Sequence, residues 1–197
     1  MGLCSLVMKK KNWLSPSAGR ILISDPSLVG DPYFARSVVL LVEHNEEGSI
    51  GLVLNRPIDI GLDKVLEEPC SINAKLSFGG PVATDALFFI HSAGLAIPDS
   101  QKVCDGIFFG GDFATVGKML LSGHLNPVDI RFFIGYSGWS PGQLEEELAR
   151  KSWVVSEAPS LARIFSSDTR MLWRNSMCAL GPSHAIWANY LVDPDLN

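Results

Sequence analysis

The fold is decided by the stretch Gly135-Tyr136-Ser137-Gly138-Trp139-Ser140-Pro141-Gly142-Gln143-Leu144. It predicts the end of a strand, a tight glycine turn and the start of a helix. Ser140 is suited to cap that helix, Pro141 to its first position, and Gln143 to the reciprocal place in a capping box. Strand-to-helix turns often hold ligands in α/β proteins, so this stretch is the first place to look for function.

The same stretch offers two kinds of chemistry, and neither fits well. Ser137 stands near the position of a G-x-S-x-G nucleophile, but the second glycine comes one residue early and Trp139 occupies its place. The N-terminus of the following helix could bind an anion through its free N–H groups. Ser140 and Gln143, however, are placed to occupy those donors, which favours a structural cap.

A β-hairpin is the clearest element upstream. Residues 37–43 and 49–54 form its two arms around Asn45-Glu46-Glu47-Gly48. The first arm is apolar from residue 38 to residue 42, which predicts a central strand covered on both faces.

A simple register for this hairpin pairs His44 with Ser49 and places Arg36 and Arg56 near its open end. The parity of the arms sends the two arginine side chains to opposite faces. A joint arginine clamp is therefore disfavoured unless a bulge shifts the register.

Further elements follow from the same patterns. Strands are predicted at residues 21–24, 75–78, 86–91, 103–109, 130–135 and 153–155. Helices are predicted at residues 62–67, 113–121, 141–151, 161–165 and 169–178.

Composition narrows the class of protein. The chain has 197 residues, 47% of them hydrophobic and only 19% charged, which indicates a globular domain. Its net charge of −5 makes direct DNA binding an unfavoured role. The four cysteines, Cys4, Cys70, Cys104 and Cys178, are scattered, which suits a reducing cytoplasm rather than a disulfide framework. We expect no metal site, because neither cysteines nor histidines have ligand spacing, and no cofactor.

The domain boundaries come from the N-terminal region. We predict that residues 1–18 form a flexible extension and that residues 19–197 form a single domain. The apolar start is followed rather than preceded by Lys9-Lys10-Lys11, and it is too short for a membrane span. We therefore predict a cytoplasmic protein without a membrane association, whose synthesis starts at Met1 or at Met8.

Candidate ligand-binding residues cluster at the hairpin and at the glycine turns. Glu43 and His44 could act as a general base, although charges at a hairpin tip are more often simply solvated. Asn55 and Arg56 could hold a small anion or tie down a loop. The full candidate set is Arg36, Glu43, His44, Asn55, Arg56, Gly79, Gly80, Tyr136, Gly138 and Gln143.

These motifs together resemble the bacterial AlgH/YqgE family, whose members often carry the label of transcriptional regulators. The resemblance runs from about Gly19 to Trp153. It is carried by Asp25-Pro26, Asp31-Pro32-Tyr33-Phe34, Arg36-Ser37-Val38-Val39, Glu43-His44, Asn55-Arg56-Pro57, Gly79-Gly80-Pro81-Val82 and Gly135 to Glu145. It implies an α+β fold, with a branched, mostly antiparallel sheet that contains a small barrel-like part and is flanked by helices.

The leading functional interpretation is a non-catalytic regulatory or binding protein that engages a protein partner or a small ligand. Two alternatives stay open. One is a transcriptional regulator that acts directly or indirectly. The other is an enzyme, without a recognised catalytic motif, whose site lies around Glu43, His44, Arg56 and Tyr136. The sequence leaves the oligomeric state open.

Overall fold

A computed structural model of the chain describes residues 14–62, 74, 76–166 and 168–188. Most of the predicted helix at residues 62–67, most of the predicted N-terminal extension, and residues 189–197 lie outside this part of the chain. The predicted boundary at residue 18 stays a prediction.

Nine described strands form one sheet. In chain order they are β1 (Arg20–Ser24), β2 (Val38–Asn45), β3 (Gly48–Val53), β4 (Leu76–Phe78), β5 (Val82–His91), β6 (Gln101–Cys104), β7 (Ile107–Phe109), β8 (Ile130–Trp139) and β9 (Trp153–Glu157). Across the sheet the order is β6-β7-β5-β8-β3-β2-β1-β9.

The sheet branches at β8. The first half of β8 pairs in parallel with β4, its second half pairs with β3, and β5 runs antiparallel beside it. All other strand pairs are antiparallel. The predicted α+β fold with a branched, mostly antiparallel sheet is confirmed, but the described strands follow an open path from β6 to β9 rather than a closed barrel.

The hairpin of β2 and β3 has the predicted turn and one irregularity. His44 pairs with Ser49 as expected. Between Leu41 and Glu43 the register shifts by one residue, so that Val42 forms a β-bulge. Both faces of the apolar arm are covered: Val38, Leu40 and Val42 are buried in one core cluster, while Val39 and Leu41 are buried in another. The central position of β2 is therefore confirmed.

Five α-helices pack around the sheet in the described part of the chain. They are α1 (Phe113–Leu121), α2 (Gln143–Ala149), α3 (Leu161–Ile164), α4 (Leu172–Ala179) and α5 (Pro182–Ala188). Asp112 caps α1 as predicted, because its side chain accepts a hydrogen bond from the N–H of Thr115. No helix among the described residues has the length and apolar character that crossing a membrane requires.

Two sequence-based boundaries were wrong. The strand predicted at residues 103–109 is a hairpin, β6 and β7, which turns at Asp105-Gly106. The predicted strand end and tight turn at residues 135–139 do not form, because β8 continues to Trp139. Gly135 takes a φ of 67° within the strand. It lies where the pairing partner along one edge of β8 changes from β4 to β3.

The start of α2 is also two residues later than predicted. The helix begins at Gln143 after Gly142, which has a left-handed φ of 77°. One half of the predicted capping box is present, since the side-chain oxygen of Gln143 accepts a hydrogen bond from the N–H of Ser140 at 3.0 Å. Trp139 and Leu144 are both buried in the same core cluster.

Candidate functional site

An open cleft of about 470 Å³ lies where the β2–β3 hairpin meets the second half of β8. Its lining residues come from the hairpin, from the start of β5 and from the end of β8. They are Glu43, Asn45, Glu47, Gly48, Ser49, Ile50, Val82, Tyr136, Gly138, Trp139, Ser140 and Pro141.

Strand pairing explains why Glu43, Ile50 and Gly138 share one face. Ile50 pairs with Glu43 on one side and with Gly138 on the other. Directly paired residues in a sheet project to the same face, so the three form a row across β2, β3 and β8. Tyr136, two residues before Gly138, projects to the same face and pairs with Val82. The cleft is thus a direct product of the sheet register.

Gly138 forms the floor of the cleft. Its backbone is outside the left-handed region, so the strand conformation does not itself require glycine here. A Cβ at this position would lie 3.0 Å from Cε2 of Tyr136 and 3.7 Å from Cγ2 of Val82. Because Gly138 has no side chain, the space beside Tyr136 and Val82 stays open.

The charge of the cleft is negative. Glu43 is half-buried and its Oε1 accepts a hydrogen bond from Nδ2 of Asn45 at 2.7 Å, while Glu47 is exposed. Among the described lining residues there is no lysine, arginine or histidine. A group with a positive charge would be attracted to this cleft.

Three residues of the sequence-based candidate set, Glu43, Tyr136 and Gly138, come together in the cleft. His44 does not line it. One ring nitrogen of His44 lies 2.8 Å from Oγ of Ser49, and the other lies 3.7 Å from Oε1 of Glu145 on α2. Gln143 bonds within α2 and its cap.

Asn55 and the two arginines near the end of the hairpin bind the backbone or an aromatic ring. The side chain of Asn55 accepts from the N–H of Val38 and donates to the carbonyl of Arg36, both at 2.8 Å. Arg56 donates to the carbonyl of Ala35 at 2.6 Å. The guanidinium of Arg36 lies 5.1 Å from the ring centroid of Trp173. Glu43, His44, Arg56 and Tyr136 thus do not converge in one pocket.

Gly79 and Gly80 are in close contact with the backbone of β8. A Cβ on Gly79 would lie 2.1 Å from the carbonyl oxygen of Gly135, and one on Gly80 would lie 2.3 Å from the backbone of Tyr136. Ser137 is fully buried, and its hydroxyl donates to the carbonyl of Gly79 at 3.1 Å. These residues hold β8 in place, and none of them lines the cleft.

The rim of the cleft at Trp139 is fixed by a carboxylate on α2. Oε2 of Glu147 accepts from the indole N–H of Trp139 at 2.9 Å and from that of Trp153 at 2.7 Å. Its other oxygen accepts from Nε2 of Gln143 at 3.0 Å, and Phe34 packs against both indole rings. Glu147 was not among the candidate residues that the sequence suggested, because nothing in the sequence places both tryptophans next to it.

Two buried polar residues were also absent from the candidates that the sequence suggested. Arg131 is 1% exposed on β8, and His91 is fully buried on β5. The available signal was a single polar residue inside an apolar strand pattern, at Ile130 to Ile134 and at Ala86 to His91. Within the described residues no group of three His, Cys, Asp or Glu side chains is arranged to hold a metal ion.

Comparison with known proteins identifies the family. The profile of the AlgH-like family matches residues 21–185. The chain belongs to the AlgH-like family. A UPF0301 protein of Parabacteroides distasonis is 43% identical over 190 residues, which are 94% of each chain. A UPF0301 protein of Cytophaga hutchinsonii is 41% identical and covers 91% of this chain and 98% of its own.

Two solved structures share the fold. The solution structure of the AlgH protein from Pseudomonas aeruginosa aligns with a TM-score of 0.69 at 32% identity, over 90% of this chain and 97% of that one. A crystal structure of a Corynebacterium diphtheriae protein aligns with a TM-score of 0.75 at 20% identity, over 90% of this chain and 94% of that one, which shows a common fold alone. The predicted AlgH/YqgE membership is confirmed.

Proposed function

We propose that this AlgH-like chain is a non-catalytic binding protein of the bacterial cytoplasm, which holds a positively charged group of a small ligand or of a protein partner in the cleft. The observation that carries the proposal is Gly138. Its missing side chain leaves a recess beside an aromatic ring and two carboxylates, those of Glu43 and Glu47.

The chemistry of the walls supports a cationic occupant. The half-buried ring of Tyr136 can receive an ammonium or guanidinium group over its face, and a cation–π contact of this kind is worth about 0.5–2 kcal/mol. Glu43 lies on the same sheet face as Tyr136, in the neighbouring row that contains Ile50 and Gly138. Its carboxylate supplies the counter-charge. The same negative charge disfavours a nucleic acid phosphate here, so direct DNA contact is not the role that we propose.

The enzyme alternative has less support from the geometry. It requires that Glu43, His44, Arg56 and Tyr136 act on one substrate, but His44 faces Glu145 and Arg56 binds the carbonyl of Ala35. A binding role, in contrast, requires only that a ligand or partner binds the cleft in a saturable and selective way.

The test uses butylammonium and arginine methyl ester as cationic probes, with butanol as the uncharged match, in ligand-observed NMR with the full chain. Gly138→Ala places a methyl group 3.0 Å from the Tyr136 ring and should weaken binding at least about fivefold. Gly117→Ala is the matched control, because a Cβ there meets nothing within 4 Å on α1.

Glu43→Gln should weaken the binding of both cations and leave any binding of butanol unchanged. Equal binding of butylammonium by the wild-type and Gly138→Ala proteins would remove the cleft from consideration. Turnover of a substrate that depends on Glu43 or Tyr136 would replace the binding role with the enzyme alternative.

A further inference from the structure

A second cavity, of about 280 Å³, is lined by the loop that follows β3, by residues of β4 and by Arg131 on β8. Its wall contains one buried cation, Arg131, and two hydroxyl groups, those of Ser77 and Ser166. The remaining lining residues are Pro57, Ile58, Asp59, Ile60, Gly61, Ala74 and Leu76. None of them belongs to the cleft described above.

All hydrogen-bond partners of Arg131 in the described structure are neutral. Nε and Nη2 donate to Oγ of Ser77 at 3.2 and 2.7 Å, Nη1 donates to the carbonyl of Ile164 at 3.0 Å, and Nη2 also donates to the carbonyl of Leu54. The guanidinium carbon lies 5.2 Å from the ring centroid of Phe133. No carboxylate of the described residues forms an ion pair with it.

These neutral contacts satisfy donors but do not neutralise the charge. Burial lowers the pKa of Arg131 to about 10, which still leaves the guanidinium charged at neutral pH. A desolvated charge without a counter-ion is unfavourable, and one anion next to it would relieve that cost.

Two donors remain for such an anion. A guanidinium has five N–H groups, and one of the two on Nη1 has no partner among the described residues. Oγ of Ser77 accepts twice from Arg131, so its own proton is left without an acceptor in the same part of the chain. Both groups belong to the wall of one cavity.

We propose that this cavity binds the carboxylate of a small aliphatic acid, with Arg131 and Ser77 donating to its oxygens. A single buried cation balances one negative charge, and the planar guanidinium matches the geometry of a carboxylate. Ile58 and Leu76 supply apolar wall for a short hydrocarbon chain. Asp59, exposed on the same wall, disfavours a second negative charge in the ligand.

The experiment is a titration of the ¹⁵N-labelled full chain with sodium butyrate, followed through backbone amides and the Arg131 Nε–H resonance. Sodium chloride at equal ionic strength and sodium phosphate are the comparison titrations. We expect saturable shifts with butyrate at Ser77 and Arg131, and weaker or unsaturated shifts with the other two salts.

Two substitutions test the residues separately. Ser77→Ala removes one neutral donor and should weaken butyrate binding about 2- to 10-fold. Asp59→Asn removes the opposing charge and should strengthen it about twofold. Ser77→Ala also removes the acceptor of two Arg131 hydrogen bonds, so Asp59→Asn decides the matter if the first variant does not fold. Ser122→Ala, an exposed serine at the end of α1, is the matched control.

Each contrary result overturns the proposal. Identical shifts with chloride would show an adventitious ion only. Tighter binding of phosphate than of butyrate would contradict the carboxylate assignment. Unchanged butyrate affinity in a folded Ser77→Ala protein, or weaker affinity in Asp59→Asn, would remove these residues from the site.

Discussion

Removal of the Glu147 carboxylate should destabilise the protein far more than removal of its neighbour on the same helix. Oε2 of Glu147 is the acceptor for the indole N–H groups of Trp139 and Trp153, whose side chains are only 5% and 4% exposed. In Glu147→Ala both donors lose their acceptor at once. Neither indole can turn toward solvent without leaving the core cluster that it shares with Leu144.

The magnitude follows from the two orphaned donors. A buried donor left unsatisfied costs about 1–3 kcal/mol. Glu147 itself is half-buried, so water can replace part of its role, and we expect a loss of about 2–4 kcal/mol in the free energy of unfolding. Glu147→Gln keeps one oxygen for the indoles but presents an amide N–H₂ group, and we expect about 1–2 kcal/mol, because hydrogen bonds to a neutral acceptor are weaker.

The control is Glu146→Ala on the same helix. Glu146 forms an exposed ion pair with Arg150 at 3.2 Å, and such pairs contribute about 0.3–0.5 kcal/mol. Urea unfolding, followed by circular dichroism and tryptophan fluorescence, compares the three variants with the wild type. If Glu147→Ala loses no more stability than Glu146→Ala, the indole N–H groups do not depend on this carboxylate and the reasoning fails.

Two further predictions concern polar side chains outside the cleft, of which His91 is buried and Asn55 is half-buried. Burial lowers the pKa of His91 in the folded state below its ordinary value of 6.5, so the unfolded chain binds a proton first. Stability should therefore fall as the pH drops below about 6.5, and His91→Gln should flatten that part of the unfolding curve measured between pH 7.5 and 5.5. Asn55→Ala should cost about 1–3 kcal/mol in urea unfolding, because it removes both side-chain hydrogen bonds to Arg36 and Val38, whereas a loss below 0.5 kcal/mol (about the noise of surface substitutions) would contradict that role.

The elements that depend only on neighbouring residues in the chain could be predicted from the sequence. The apolar run at residues 38–42 identified a strand buried on both faces, and the polar turn after it gave the hairpin and the pairing of His44 with Ser49. The bulge at Val42 was not predictable, because it depends on how β2 packs between β1 and β3. Glu43 lies opposite Ile50 in the unshifted register set by the turn, whereas the extra residue shifts the earlier part of β2, so that Leu41 rather than Val42 pairs with Gly51.

The kink in β8 shows the same limit. Gly135 and Gly138 suggested a tight turn, but β8 exchanges one neighbour for another at this point and needs no reversal of the chain. Strands β3 and β4, which supply these neighbours, are distant in sequence. The buried position of Arg131 could not be predicted for a related reason. Its hydrogen-bond partners Leu54, Ser77 and Ile164 lie 33 to 77 residues away in the sequence.

The alternation of β8 separates folding from binding in the stretch that decides the fold. Ser137 is buried and does not line the cleft, whereas Tyr136 and Gly138, which project to the opposite face of β8, do line it. Ser137→Ala, which removes the hydrogen bond to Gly79, should therefore lower stability by about 0.5–1.5 kcal/mol and leave the affinity for a cationic probe unchanged. Gly138→Ala should instead lower the affinity for the cationic probe and leave the stability unchanged. If both substitutions change stability and affinity together, the two faces of the strand are coupled and the cleft is not an independent site.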